Sequence, residues 1–230
     1  MATLIYSSIS KQGKRKRNED SYSILDVQQE KCWMGIVCDG MGGHTHGEVA
    51  SQLVVETITT YWNGHFNEPD TPEKVIKACK IAYHKFDAKV NELGRTQMGT
   101  TMVMASLQGN LLTIAHLGDS RCYFLDSSLH IKYVTKDHST QKDGFDRITK
   151  CFFSYHPEVA TPEIKQYEVK SGDMILLCSD GIYKSMSDTT LFRILKEAAS
   201  TKDALDKIDR LCEDLSRDNY TAILLQVVDG

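Results

Sequence analysis

Short apolar segments that follow one another across tight turns constrain this chain's fold more than any other feature. They are "CWMGIVC" (32–38), "TTMVMASL" (100–107), "LLTIAHL" (111–117), "CYFL" (122–125), "HIKYV" (130–134), "MILLCS" (174–179) and "TAILLQVV" (221–228). Each is β-branched or aliphatic and too short for a helix, so each reads as a strand. Gln108-Gly109-Asn110 between two of them is a hairpin signal. Helical periodicity appears elsewhere, in pairs. Ala50, Leu53, Val54, Thr57, Ile58 and Tyr61 recur every 3.6 residues. Val75, Cys79, Ala82, Tyr83, Phe86 and Val90 form a second stripe, with Thr71 as cap and Pro72 at the first helical position. Late in the chain Leu191, Ile194, Leu195 and Ala198 form one face, and Leu205, Ile208, Cys212 and Leu215 another. Ser200 opens the latter, with Asp203 in a capping-box position. Strands in runs and helices in pairs argue against a parallel doubly wound sheet. They predict an α+β fold of antiparallel sheets with helices packed outside.

The 230 residues carry 41% hydrophobic and 25% charged side chains, an ordinary globular composition, and no linker or repeat divides them. A single domain spanning 1–230 is the expectation. The segment "GKRKRNED" (13–20) sets four basic residues against two acids. Lys11, Lys14, Arg15, Lys16 and Arg17 suggest a nucleic-acid surface, but no aromatic platform accompanies them and the net charge is −4. Nucleic acid is therefore excluded as a partner. No apolar run approaches the ~20 residues of a membrane span, and no signal-peptide pattern opens the chain. The seven cysteines include no Cys-x-x-Cys and mostly sit in apolar stretches, as buried reduced thiols do. No membrane association and a cytoplasmic location are the expectations.

Three strands end alike: "WMGIVC" runs into Asp39-Gly40, "LLTIAHL" into Gly118-Asp119, and "MILLCS" into Asp180-Gly181. Asp218 directly precedes a fourth strand, and Asp20 precedes the strand-like "SYSIL". In antiparallel sheets the start of one strand lies beside the end of its neighbour, so these aspartates can gather at one end. Gathered carboxylates repel and need a cation. Oxygen-only ligands suit Mg²⁺ or Mn²⁺. Gly40 and Gly181 are expected to turn the backbone sharply and expose a carbonyl as a further ligand. A single Asp-Gly after a strand is turn chemistry; several, each behind a buried strand, make a metal cluster the competing reading.

The ordered set "RKRNED" (15–20), "VCDGMGGHTHGEVAS" (37–51), "GTT" (99–101), "HLGDSR" (116–121), "TKDHS" (135–139), "GDMILLCSDG" (172–181) and "DNYTAILL" (218–225) resembles the metal-dependent protein phosphatases, the type-2C serine/threonine phosphatases. It is most similar to their compact bacterial-type members. The resemblance implies a four-layer α-β-β-α sandwich, two antiparallel sheets face to face with helix pairs outside. It implies hydrolysis of phosphoserine and phosphothreonine in proteins, by direct attack of a hydroxide bridging two divalent cations, Mn²⁺ or Mg²⁺. By similarity, Asp39 bridges the two cations and the Gly40 carbonyl binds one of them. Asp180 and Asp218 complete one shell. Asp20 serves the other, with Glu19 acting through water. Asp119, with Asp180, matches a third and weaker cation position. Arg15 matches the phosphate-binding arginine, with Arg17 as the fallback. The implied partners are phosphorylated proteins, with the chain opposing a serine/threonine kinase and acting as a monomer. The alternative is a pseudophosphatase serving as a binding module.

Two departures from the family pattern stand out. Met41 follows the metal-binding Asp-Gly where many members have a histidine, and it donates no proton. The segment "TQKDGFDRITKCFFSYHPEV" (140–159) leaves little room for the family's flap, so a shortened flap over about 140–160 is expected. Within it, "CFFSY" reads as core rather than as a docking surface. His44 and His46 beside the metal-binding turn lack a third nitrogen or sulfur ligand for zinc. Asp137 and His138 are expected to brace a loop, and Arg121 to pair with acids near the site.

Overall fold

The computed structural model describes residues 2–27, 32–41, 46–142 and 145–229. Two five-stranded antiparallel sheets form its centre. The first runs, in spatial order, β1 (Ala2–Lys11), β14 (Tyr220–Asp229), β13 (Met174–Cys178), β7 (Arg121–Leu125) and β8 (Ile131–Val134). The second runs β12 (Glu163–Glu168), β6 (Leu111–Leu117), β5 (Met102–Gln108), β3 (Cys32–Asp39) and β2 (Asp20–Val27). Two short pairs flank them: β4 (Gly99–Thr100) with β11 (Phe152–Phe153), and β9 (Ser139–Lys142) with β10 (Phe145–Ile148). The helices are α1 (Gly47–Gly64), α2 (Pro72–Glu92), the single turn α3 (Asp180–Tyr183), α4 (Asp188–Glu197) and α5 (Thr201–Leu215). No helix among the described residues is long and apolar enough to cross a membrane.

Three apolar layers explain why the central strands read as unbroken hydrophobic runs. Trp33, Val37, Val103, Ile114, Phe124, Ile175, Ile223 and Leu225 fill the space between the sheets. Their neighbours on the same strands point outward. Met34, Ile36, Met104 and Ala115 pack under α1 and α2, while Leu176, Ala222 and Leu224 pack under α4 and α5. Strands buried on both faces have no polar face to alternate with. The expected α-β-β-α order is therefore the observed one. Both anticipated caps form: Thr71 accepts from the Lys74 backbone N–H and Ser200 from that of Asp203. Gly109 and Asn110 make the turn of the β5–β6 hairpin. Cys38, Cys79, Cys122, Cys151, Cys178 and Cys212 are free thiols in the interior.

Several elements have no counterpart in the sequence reading. β1 and β12 are edge strands; their inward residues Leu4, Tyr6 and Tyr167 alternate with polar ones, which hides them among surface segments. β9, β10, β11 and α3 are four residues or fewer and carry too little periodicity to register. Within the 140–159 segment Thr140, Gln141, Arg147, Thr149 and Lys150 are exposed. Cys151 and Phe152 are buried, so "CFFSY" is largely core, with Tyr155 exposed at its end.

One buried ion pair pins α2 to the second sheet. Lys74 Nζ lies 2.7 Å from Asp70 Oδ1, both side chains almost wholly buried, and Lys74 also sits over the Trp62 ring. Asp70 receives Gln166 Nε2 on its carbonyl at 2.6 Å, and its N–H donates to Gln108 Oε1 at 3.1 Å. Removing one partner of a buried pair leaves an uncompensated charge. Lys74→Ala should lower stability by about 3 kcal/mol in urea denaturation and leave divalent-ion binding unchanged.

Candidate active site

Strand register brings the predicted aspartates together. β2 and β3 pair with Asp20 opposite Asp39. In the other sheet Cys178 lies opposite both Arg121 and Ala222, so the chain leaving β13 at Ser179-Asp180 passes beside the starts of β7 and β14. Asp119 and Asp218 stand just before those starts. Direct bonds join the sheets here. Ser179 Oγ donates to Asp20 Oδ2 at 2.7 Å, and the Glu19 N–H donates to Asn219 Oδ1 at 2.9 Å. Thr101 Oγ1 and Ser120 Oγ share a hydrogen bond of 2.7 Å. Thr101 also holds the Asp39 backbone, accepting from its N–H at 3.0 Å and donating its own N–H to the Asp39 carbonyl at 2.9 Å.

The carboxylates are crowded. Burial pushes Asp20 up to about 7, with Asp180 and Asp218 adding to the rise against the bond from Ser179. Burial likewise pushes Asp119 up to about 6, with Asp180 the next contribution. Asp39 is driven well above the usual carboxylate range, by burial and then by Asp20, Asp180, Asp119 and Asp218 together. Asp20 Oδ1 and Asp180 Oδ1 are buried with no hydrogen-bond partner. Orphaned carboxylate oxygens in a set of oxygen donors fit hard divalent cations, which would satisfy the lone pairs and remove the repulsion.

The turn at Gly40 is built for close approach. A Cβ there would run into the carbonyls of Gly47 and Glu19, so only glycine lets this turn lie against the start of α1. Gly181 corrects the expectation that both glycines expose a carbonyl. A Cβ at Gly181 would collide with the Asn219 carbonyl, but its own carbonyl faces inward, accepting from Ser185 Oγ at 2.6 Å and Ser216 Oγ at 3.2 Å. Glu19 points toward the start of α1, its carboxyl raised by burial and by Glu48.

The basic segment is folded onto the acids. Asn219 Nδ2 donates to the Gln12 and Arg17 carbonyls, both at 2.7 Å, and Arg15 Nη2 lies 2.6 Å from Asp218 Oδ2. Arg17 is drawn instead to Glu48 at 3.2 Å. Beside Asp180 and Asp218 opens a cleft of about 300 Å³, walled also by Lys184 and Arg217. Lys184 Nζ lies 2.6 Å from Asp180 Oδ2 and 3.6 Å from Asp119 Oδ2. Asn219, Thr101 and Ser179 lie within the sequence motifs but are uncharged, which conceals their roles as braces. Lys184 lies outside every motif, and no sequence signal marks it.

Other expected residues have structural places. Arg121 forms a forked pair with Asp137, both contacts 2.9 Å. His116 and His138 stack with ring centroids 4.3 Å apart and planes 7° from parallel, near Glu163. His116 Nε2 faces the Lys136 carbonyl and His138 Nδ1 the Gly118 N–H. Parallel rings with nitrogens turned to the backbone brace the loop before β7. Met41 packs near Gly99, its N–H donating to the Gly99 carbonyl. His46 precedes α1 in the left-handed conformation, φ 72°; His44 lies outside the described residues.

A family profile for protein phosphatase 2C matches residues 10–219. The chain belongs to the protein phosphatase 2C family. It is 32% identical over 209 residues to the serine/threonine protein phosphatase PstP of Mycobacterium tuberculosis, covering 84% of this chain and 40% of that protein. It thus spans two-fifths of that relative's length. It is 27% identical over 232 residues to the serine/threonine phosphatase stp of Listeria monocytogenes, covering 92% and 91% of the two chains. The crystal structure of the PstP catalytic domain with two manganese ions superposes with a TM-score of 0.82 over 100% of both chains, at 28% identity. A bacterial serine phosphatase gives 0.83 at 26% identity, covering 99% of each.

The crowding has a measurable consequence in chelator. The folded pKa of Asp20, about 7, exceeds the ~3.9 of an unfolded aspartate. The folded chain therefore binds the extra proton between those values, and this contribution to stability falls as pH rises from about 4 to about 7. Thermal melts in chelator should show that decline. Asp39→Asn, which removes a second carboxyl raised by burial, should flatten it.

Proposed function

We propose that this protein phosphatase 2C chain is a metal-dependent serine/threonine protein phosphatase acting on phosphoserine and phosphothreonine in proteins. The observation that carries the reading is the convergence of Asp20, Asp39, Asp119, Asp180 and Asp218 on one rim, with buried oxygens left unpartnered, in a chain of this family. Asp20, Asp39, Asp180, Asp218 and the Gly40 carbonyl would hold two divalent cations, Mn²⁺ or Mg²⁺, with Glu19 acting behind them. When bound, such a pair supplies an activated water and Lewis-acid charge for in-line attack on phosphorus.

The chain's own residues do the rest. Arg15 stands half-exposed at the mouth of the site, and its planar fork has donors beyond the one given to Asp218. It binds and orients the phosphoryl oxygens. Thr101, Ser179 and Asn219 keep the carboxylates in place, so no reorganisation is needed as charge develops. The short segment over about 140–160 serves as a reduced flap and leaves the cleft open to phosphorylated protein chains. The domain acts as a monomer in the cytoplasm, opposing a serine/threonine kinase.

Hydrolysis of p-nitrophenyl phosphate and of a phosphothreonine peptide with Mn²⁺ tests the reading. Absence of turnover in a folded, Mn²⁺-loaded sample would overturn it. Asp39→Asn should abolish turnover with the fold intact. Arg15→Ala should lower kcat/KM by about 10- to 100-fold, the loss of a charge-assisted hydrogen bond, with little change in Mn²⁺ affinity; the reverse pattern would reassign the clamp.

A further inference from the structure

We propose that the Lys184 ammonium is a built-in substitute for a third cation, holding the Asp119–Asp180 pair so that the chain takes up two divalent ions and not three. The inference rests on the functional reading above and concerns how many ions the site needs.

The geometry starts from spacing. Lys184 follows the single turn α3, four residues after Asp180, and its N–H donates to the Asp180 carbonyl at 2.9 Å. Its side chain is thereby directed back over Asp180. Nζ meets Asp180 Oδ2 at 2.6 Å and Asp119 Oδ2 at 3.6 Å. The carboxylates are 15% and 12% exposed, so the charge they receive is only partly screened by water.

The two oxygens of Asp180 divide the work. Oδ1 is buried and unpartnered, like Asp20 Oδ1, whereas Oδ2 is taken by the lysine. The demand for outside cations therefore falls on Asp20 Oδ1 and Asp180 Oδ1. The Asp119 side already has its positive charge.

The lysine's seat is also fixed. Tyr183 Oη donates to the Asp119 carbonyl at 3.0 Å, tying α3 to the Asp119 loop. The Arg121 guanidinium lies 3.7 Å from the Tyr183 ring centre and is itself held by Asp137. Arg121 is thus committed elsewhere, and Lys184 is the cation that faces both carboxylates. A tethered ammonium is present at high effective concentration whatever the metal supply, so a weakly bound ion competes poorly with it.

Calorimetric titration of the chain with Mn²⁺ at neutral pH tests this, with native mass spectrometry to count bound ions. The wild type should take up two equivalents. Lys184→Met should take up one further, weaker equivalent, and so should Lys184→Gln, a second neutral variant in case the first is unstable. Lys184→Arg should keep the wild-type count, and adding Asp119→Asn to Lys184→Met should abolish the extra equivalent. A third equivalent in the wild type, or an unchanged count in folded Lys184→Met and Lys184→Gln, would overturn the proposal while leaving the phosphatase reading intact. Failure of the wild type to bind any Mn²⁺ would overturn both.

Discussion

Carboxylates gathered at one rim repel one another, and the surroundings of this site are arranged against that repulsion. At an effective dielectric near 20, two unit charges about 4 Å apart interact by roughly 4 kcal/mol. Burial and then Asp20, Asp180, Asp119 and Asp218 all raise the Asp39 carboxyl. Left to itself, a loop carrying these groups would swing apart. Here they stand at or beside the ends of paired strands, where the ladder holds the backbone. Asp20 sits opposite Asp39 in register, and Ser179 reaches from the other sheet to bind Asp20. Arg15 and Lys184 place positive charge at the edges.

The sandwich makes such an arrangement affordable in physical terms. Strands buried on both faces are stiff because each is packed between two apolar layers. At the site end of the strands, polar groups are paired across sheets by Thr101, Ser120 and Asn219. Asn219 is a clear case. One side chain satisfies three backbone groups of the segment that carries Arg15, Glu19 and Asp20. The basic and acidic halves of "GKRKRNED" are adjacent because the first supplies a rim cation and the second enters the carboxylate cluster.

The legibility of these features follows from the range of the interactions that produce them. Central strands such as β3, β6 and β13 are legible because double burial demands unbroken apolar runs. The Thr71 and Ser200 caps are legible because capping is a bond within one turn. β1 and β12 are not, since an edge strand meets water on one side and keeps polar residues there. Gly181 shows the limit for a residue that was singled out. Its glycine was expected for a turn and an exposed carbonyl. The reason found is the close approach of Asn219, a residue distant in sequence. Lys184 shows the limit for one that was not, because an exposed lysine looks like any other until Asp119 is seen beside it.

The sequence by itself determined the two-sheet architecture, the positions of the four longer helices, and the chemical identity of the acids that end the strands. These rest on periodicity, on caps, and on an ordered set of motifs, all of which are local in the chain. Only the tertiary structure decided that Asp20, Asp39, Asp119, Asp180 and Asp218 share one rim, that Arg15 meets Asp218 across 203 residues of chain, and that Lys184 bridges Asp119 and Asp180. The reason is that strand register and sheet stacking bring distant residues together, and neither is written in any single segment.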